Sequence, residues 1–157
     1  MGAIIRAPRI RILGASAVAV SGPADTNENI LATITVPAGA MGLNGILRVT
    51  TLWTVTNSGN LKTLRARLGG IGGTDYMTIG LTAALSHHHV VMIRNRGAAN
   101  SQIGFTPSSI PFNTSTGANI TSAIDTSAAQ TFVITGQKAS AGETITLESY
   151  LVELILP

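Results

Sequence analysis

Apolar residues in this chain alternate with Thr, Ser, Gly and Asn in runs of a few residues, and no apolar stretch is long enough for a membrane-spanning helix. A period of two puts successive side chains on opposite faces of an extended strand, so the pattern predicts half-buried β-strands and little helix. The polarity comes from hydroxyls and amides. Only 11% of residues are Asp, Glu, Lys or Arg, against about 25% in ordinary soluble domains. A freely diffusing enzyme needs more charge than this for solubility, whereas a subunit packed against other protein does not.

Ile30, Ala32, Ile34 and Val36 alternate with Leu31, Thr33 and Thr35, which predicts a strand burying the first set. A longer strand is expected from about Ile46 to Thr56, with Leu47, Val49, Trp53 and Val55 on one parity, Trp53 being a core residue. The turn signal Asn57-Ser58-Gly59-Asn60 leads into a return run with Leu64, Ala66 and Leu68 inward, read as a hairpin. Gly69 to Gly73 form a flexible corner before a strand through Met77, Ile79 and Leu81, and Thr82 to Leu85 read as one helical turn. His87 to Arg96, with Val90 to Ile93 contiguous, reads as a strand covered on both sides. Residues 107–129 read as a long loop holding one short strand. Two strands close the chain over Thr131–Lys138 and Thr144–Ile155, with a bulge or exposed end expected because Glu153 shares the parity of Ile145. About eight strands with uneven connections and no amphipathic helix predict an all-β, antiparallel β-sandwich of jelly-roll type. An immunoglobulin-like sandwich is the competitor, and its Cys, Trp, Cys framework is missing.

At 157 residues the chain suits one domain that folds without a metal or disulfide staple. It has no cysteine, which excludes disulfides, thiolate metal sites and Cys nucleophiles. The organisation expected is an extended N-terminal arm over residues 1–20 followed by the sandwich over 21–157. A net charge of +3 spread over a whole domain is a weak footprint for nucleic acid, and no direct nucleic-acid contact is expected. Arg6 to Val20 has the outline of a secretory signal, but Gly14, Ser16 and four alanines dilute it; the expectation is a soluble, unprocessed protein with no membrane partner. The candidate interaction residues lie in the arm. Arg6, Arg9 and Arg11 would meet acidic protein, and Ile4, Ile5, Ile10 and Ile12 would add a strand to another sheet edge.

Chemistry is thinly supported. His87-His88-His89 puts His87 and His89 on one strand face about 7 Å apart, close enough to share a metal, and an HxH pair in a jelly roll is similar to the metal-binding cupins. The cupin pattern places a Glu just beyond the second His, where this chain has Val91 to Arg94, so a cupin-like enzyme is the weakest reading and no metal or other cofactor is expected. No Gly-x-Ser-x-Gly elbow exists, and Asp75 or Asp125 as orienter of a Ser-His-Asp triad rests on residue type alone. Gly69 to Gly73 lack the Lys and hydroxyl of a phosphate loop. Glu143, Glu148, Glu153 and Asp125 are a carboxylate set any β protein contains. Asn113-Thr114-Ser115 and Asn119-Ile120-Thr121 match the glycosylation triplet in a stretch where chance supplies it. The chain is expected not to be an enzyme.

Two stretches carry a resemblance. Arg94-Asn95-Arg96-Gly97-Ala98-Ala99-Asn100-Ser101-Gln102-Ile103-Gly104, and the run from Ile124-Asp125-Thr126-Ser127 through Thr144-Ile145-Thr146-Leu147-Glu148-Ser149-Tyr150-Leu151-Val152-Glu153, resemble small jelly-roll virion proteins of tailed bacteriophages, of the capsid cement or decoration type. The resemblance covers the latter half of the chain and identifies a structural family rather than a reaction. It implies an outer-capsid location, the major capsid protein as partner, and a homo-oligomer, by preference a trimer. The same fold serves in tail and fibre knobs that recognise host glycan or protein, which is the alternative function.

Overall fold

A computed structural model describes residues 9–107, 115 and 117–157. Eleven strands follow in chain order among these residues: β1 Arg9–Ser16, β2 Val20–Ser21, β3 Asn29–Val36, β4 Ile46–Val55, β5 Lys62–Leu68, β6 Thr74–Leu81, β7 Ser86–Asn95, β8 Gln102–Gly104, β9 Ile120–Ser122, β10 Gln130–Lys138 and β11 Ile145–Leu156. They form two antiparallel sheets. The large sheet runs β1-β11-β4-β7-β8-β9, with β2 also pairing β11, and the small sheet runs β3-β10-β5-β6.

Four of the pairings are nested along the chain: β1 with β11, β3 with β10, β4 with β7 and β5 with β6. A long antiparallel ribbon folded over so that alternate pairs fall in opposite sheets gives this order, which is the jelly roll expected from the sequence. The core lies between the sheets. Leu47, Val49, Trp53 and Val55 of β4, Leu64, Ala66 and Leu68 of β5, Phe132 and Ile134 of β10, and Ile145, Leu147, Val152 and Leu154 of β11 are all buried in it. Each of the Val, Leu, Ile and Phe side chains among them contributes ~1.5–3 kcal/mol relative to exposure, and the chain has no cysteine to add a disulfide.

The sheet assignment corrects several expectations. β4 and β5 are not a hairpin: β4 pairs β11 and β7, while β5 pairs β10 and β6. The turn at Asn57–Asn60 carries the chain from one sheet to the other, and turn-forming residues serve a sheet crossing as readily as a hairpin. Thr82–Leu85 is a bend without helix. β7 is not covered on both sides, since His88, Val90 and Arg94 are exposed on its outer face. Ile30 points outward and Leu31 inward, because Leu31 is an extra residue in β3 between the Ala32–Ile134 and Ile30–Thr135 pairs.

The irregularity expected near Glu153 is present, as a bulge at Glu148. Leu147 pairs Trp53 and Ser149 pairs Leu52, so the inward parity changes from Ile145 and Leu147 to Val152 and Leu154. Glu153 is thereby released to the outer face. The corner at Gly69–Gly73 is tight rather than loose. Gly69 and Gly70 take positive φ of 94° and 79°, and a Cβ on Gly73 would lie 2.0 Å from the Leu68 carbonyl oxygen.

The extended arm expected over residues 1–20 is, from Arg9 on, part of the domain. Arg9–Ser16 is an edge strand paired to β11 along its length, and Val20–Ser21 adds a short pair to the same strand. Ile10 and Ile12, read as seeking a sheet edge elsewhere, find one in their own chain, because β11 would otherwise present an unpaired edge. Ile4, Ile5 and Arg6 lie outside the described residues. No helix among the described residues is long and apolar enough to cross a membrane.

Candidate interaction surface

The motifs that carry the resemblance converge on one buried polar network. Asn95, at the end of β7, donates from Nδ2 to the Gly42 carbonyl at 2.6 Å and to Thr126 Oγ1 at 2.9 Å. Gln102 of β8 donates from Nε2 to Asn95 Oδ1 at 3.0 Å and to the Ala99 carbonyl at 2.9 Å. Its Oε1 accepts from Ser122 Oγ and from the Ile124 amide. Thr126 Oγ1 donates to the Ala99 carbonyl, and Tyr76 OH pairs with Ser122 Oγ at 2.6 Å. Both amide side chains thus use their donors and acceptors, and the network fixes β7, β8, β9 and the 39–45 loop together. These residues build the fold. They offer no group to a substrate.

The acids and histidines are likewise placed for structure. Lys62, fully buried, donates to Ser58 Oγ at 3.0 Å and pairs with Glu143 at 3.5 Å, while Ser58 also donates to Glu143. This ties the β4–β5 crossing to the β10–β11 crossing, and the Ser58 hydroxyl holds Glu143 below its ordinary pKa. On the outer face of the small sheet, Glu28 accepts from Arg67 at 3.0 and 3.1 Å and from Thr135 at 2.6 Å, with Arg65 at 3.5 Å and Asp75 beside Arg67 at 3.1 Å. Burial raises Asp75, and the Arg67 charge only partly offsets it. Asp125 closes its own turn onto Ser127. His87 and His89 do share a face, with stacked rings 5.5 Å apart and only 23° from parallel. Rings set side by side in this way do not aim two nitrogens at one point about 2 Å from each, as a shared metal requires. No group of three potential metal ligands occurs among the described residues.

The outer face of the large sheet was not anticipated as a surface. Its strand register brings Ile10, Ile155 and Ile46 into one row, ending at Arg94. The next row is Ile12, Glu153, Arg48 and Met92, then Ala15, Leu151, Thr50 and Val90, then Ser149, Leu52 and His88. Ile10 is 58%, Ile12 62%, Val90 45% and Leu52 42% exposed. With strands about 4.8 Å apart and rows about 7 Å apart, this face spans roughly 400 Å², polar and apolar positions together.

Among the described residues, the one ion pair on the face is internal. Arg48 holds Glu153 through two bonds of 2.7 and 2.9 Å, and this contact keeps Glu153 below its ordinary pKa. The cations at one end have no such partner. Arg94, opposite Ile46 on this face, is exposed and makes no salt bridge among the described residues; Arg9 and Arg11, opposite Leu156 and Leu154, are exposed at the same end but on the other parity of β1. The contiguous apolar run at Val90 to Ile93 was the available signal for this face. Period-two logic assigns such a run to burial on both sides, when here one side is merely unoccupied.

The fold and this face define the protein as a single jelly-roll sandwich with exposed apolar residues on one flank. No protein-family model and no curated protein matches the chain. Among solved structures, it is similar to the CBM2 module of the evolved Dit of Lactobacillus casei BL23 phage J-1, at 13% identity and a TM-score of 0.39, over 80% of this chain and 69% of that one. It is also similar to a chain of infectious bursal disease virus, Gx strain, at 12% identity and a TM-score of 0.32, over 95% of this chain and 40% of that one. A third is a protein of unknown function from Shewanella oneidensis MR-1, at 11% identity and a TM-score of 0.40, over 94% and 75%. The chain therefore spans well under half of the bursal virus chain. At these values the likeness is one of fold outline and carries no functional argument.

Proposed function

We propose that this protein is a non-enzymatic structural component of a tailed-phage particle, a cement protein that binds the major capsid protein from outside as a homotrimer. The observation that carries the reading is the outer face of β1, β11, β4 and β7: Ile10, Ile12, Leu52 and Val90 are exposed around an Arg48–Glu153 pair that is satisfied internally, and Arg94 at one corner makes no salt bridge among the described residues. Such a face fits a largely apolar protein surface with a carboxylate placed to meet Arg94 at one corner. The sequence resemblance of Arg94–Gly104 and Ile124–Glu153 supports the virion setting. Three linked copies, each making one weak contact, raise avidity by roughly 100- to 10,000-fold, so neighbouring coat subunits are held together without any single strong contact.

The test is sedimentation with intact particles stripped of their outer proteins. Wild-type protein is expected to co-sediment and to raise the temperature at which particles release DNA. The double variant Leu52→Glu, Val90→Glu puts two charges on exposed positions and leaves the core untouched, and it is expected to bind at least about tenfold more weakly. Equal binding of the variant would overturn the assignment of this face.

A further inference from the structure

The inner side of the same two strands holds a cluster that the docking face does not use. His87 lies opposite Trp53 and His89 opposite Thr51 in the β4–β7 register, and residues directly opposite in an antiparallel pair share a face. Trp53 and Thr51 are buried in the core, so both imidazoles point inward, whereas His88 between them is exposed. Trp53 Nε1, Thr51 Oγ1 and His87 Nε2 are buried without a hydrogen-bond partner among the described residues. Three unpartnered polar atoms within two adjacent cross-strand pairs are unusual for a β core.

The surroundings offer nothing to balance a charge there. β4 presents Trp53 and Thr51, and β11, one strand further, presents Leu147 and Tyr150 in the same rows. β6, the strand of the small sheet nearest β7, turns Met77 and Ile79 into the core, and its acid, Asp75, is engaged with Arg67 on the outer face. No salt bridge to either imidazole exists among the described residues, and the remaining positions, 1–8, 108–114 and 116, contain no Asp or Glu. β7 is also weakly held at this end, because β8 pairs only Ile93–Asn95 and leaves His87 and His89 with no strand on their far side among the described residues.

We propose that the inward His87–His89 pair is an acid-operated latch: neutral imidazoles let the Ser86 end of β7 stay closed on β4, and protonated imidazoles force it open. Burial, with the charges of the neighbouring histidines, lowers both residues from their ordinary value, His89 to about 4. A histidine depressed in the folded state favours folding fully above about pH 6.5, and that contribution is lost as pH falls through the folded value. The latch therefore holds at neutral pH and yields between about pH 6 and 4. Leu52, His88 and Val90 belong to the same strands, so opening also dismantles one end of the docking face. That consequence rests on the proposed function, and the latch does not.

Trp53 is the chain's single tryptophan and sits opposite His87, so its fluorescence reports on the cluster directly. In wild type, emission is expected to shift to the red between pH 6 and 4, with faster amide exchange over His87–Val91 before the rest of the sheet. His87→Phe, His89→Phe is expected to move that midpoint down by about one pH unit or more, and His88→Asn to leave it in place. An unchanged midpoint in the double variant overturns the proposal. If that variant does not fold, imidazole NMR of the wild type decides: titration of His87 and His89 at or above 6.5 overturns the latch, and titration well below it supports the latch. Particle binding at pH 7 is a separate measurement, so the latch and the docking face fail independently.

Discussion

Gln102 and Asn95 hold each other across the short β7–β8 pairing: Gln102 Nε2 donates to Asn95 Oδ1 at 3.0 Å, with both side chains buried. The bond matters because each residue satisfies backbone groups of loops that have no ladder of their own. Asn95 caps the Gly42 carbonyl, and Gln102 serves the Ala99 carbonyl and the Ile124 amide.

Gln102→Leu keeps the bulk and removes every bond that the Gln102 side chain makes. It leaves Asn95 Oδ1 and the Ile124 amide seeking partners in a dry region, while Ser122 Oγ keeps Tyr76. Chemical denaturation is expected to show a loss of roughly 2–4 kcal/mol, since each buried group left unpaired costs about 1–3 kcal/mol and they relax together. A loss under half of that would mean water replaces the side chain.

Gly104 of β8 lies under the ring of Tyr76, and a Cβ there would stand 2.6 Å from Tyr76 Cδ1. Tyr76 is itself an extra residue in β6, where Met77 pairs Ala66 and Asp75 pairs Arg67, and its hydroxyl reaches Ser122 in the other sheet. Gly104→Ala must displace the ring and with it that bond, at an expected cost of about 1–3 kcal/mol. Recovery of stability by a second change that removes the ring, Tyr76→Leu, but not by Tyr76→Phe, which keeps it, would identify the clash as the cause.

Glu28 is the acid on which Arg65, Arg67 and Thr135 converge. Burial works to raise its pKa, but the Thr135 and Arg67 hydrogen bonds and the Arg65 charge hold it lower than usual. A carboxylate lowered in this way stabilises the fold above its unfolded value, here 4.5, and that contribution is lost as pH falls through the folded value. Glu28→Gln is expected to cost roughly 1–2 kcal/mol at pH 7, after allowance for solvent screening. Its stability is expected to fall less steeply than that of wild type below about pH 4.5, as thermal melts across pH 3–7 would show.

Truncation separates the two parts of the expected arm. Removing residues 1–8 leaves every described strand in place, so the melting temperature is expected to hold, and any loss of particle binding then belongs to Ile4, Ile5 and Arg6. Removing residues 1–16 takes away β1 and bares the β11 edge, which is expected to lower stability and promote aggregation. Equal melting temperatures for the two truncations would show that β1 is dispensable to the domain.

The sequence by itself determined that the chain is all β, where most strands lie, that Trp53 is core, and that the last strand has either a bulge or an exposed end at Glu153. Those are local matters: side-chain parity along an extended backbone, and turn residues with their own dihedral preferences. Tertiary structure alone decided which sheet each strand joins, because a turn such as Asn57–Asn60 is compatible with a hairpin and with a crossing, and only pairing with β10 and β11 from the far end of the chain selects the crossing. The same holds for the site. Val90 to Ile93 read as doubly buried because apolarity records a preference for leaving water, without recording whether the cover comes from the same chain, and His87 and His89 became inward-facing only once Trp53 and Thr51 were placed opposite them.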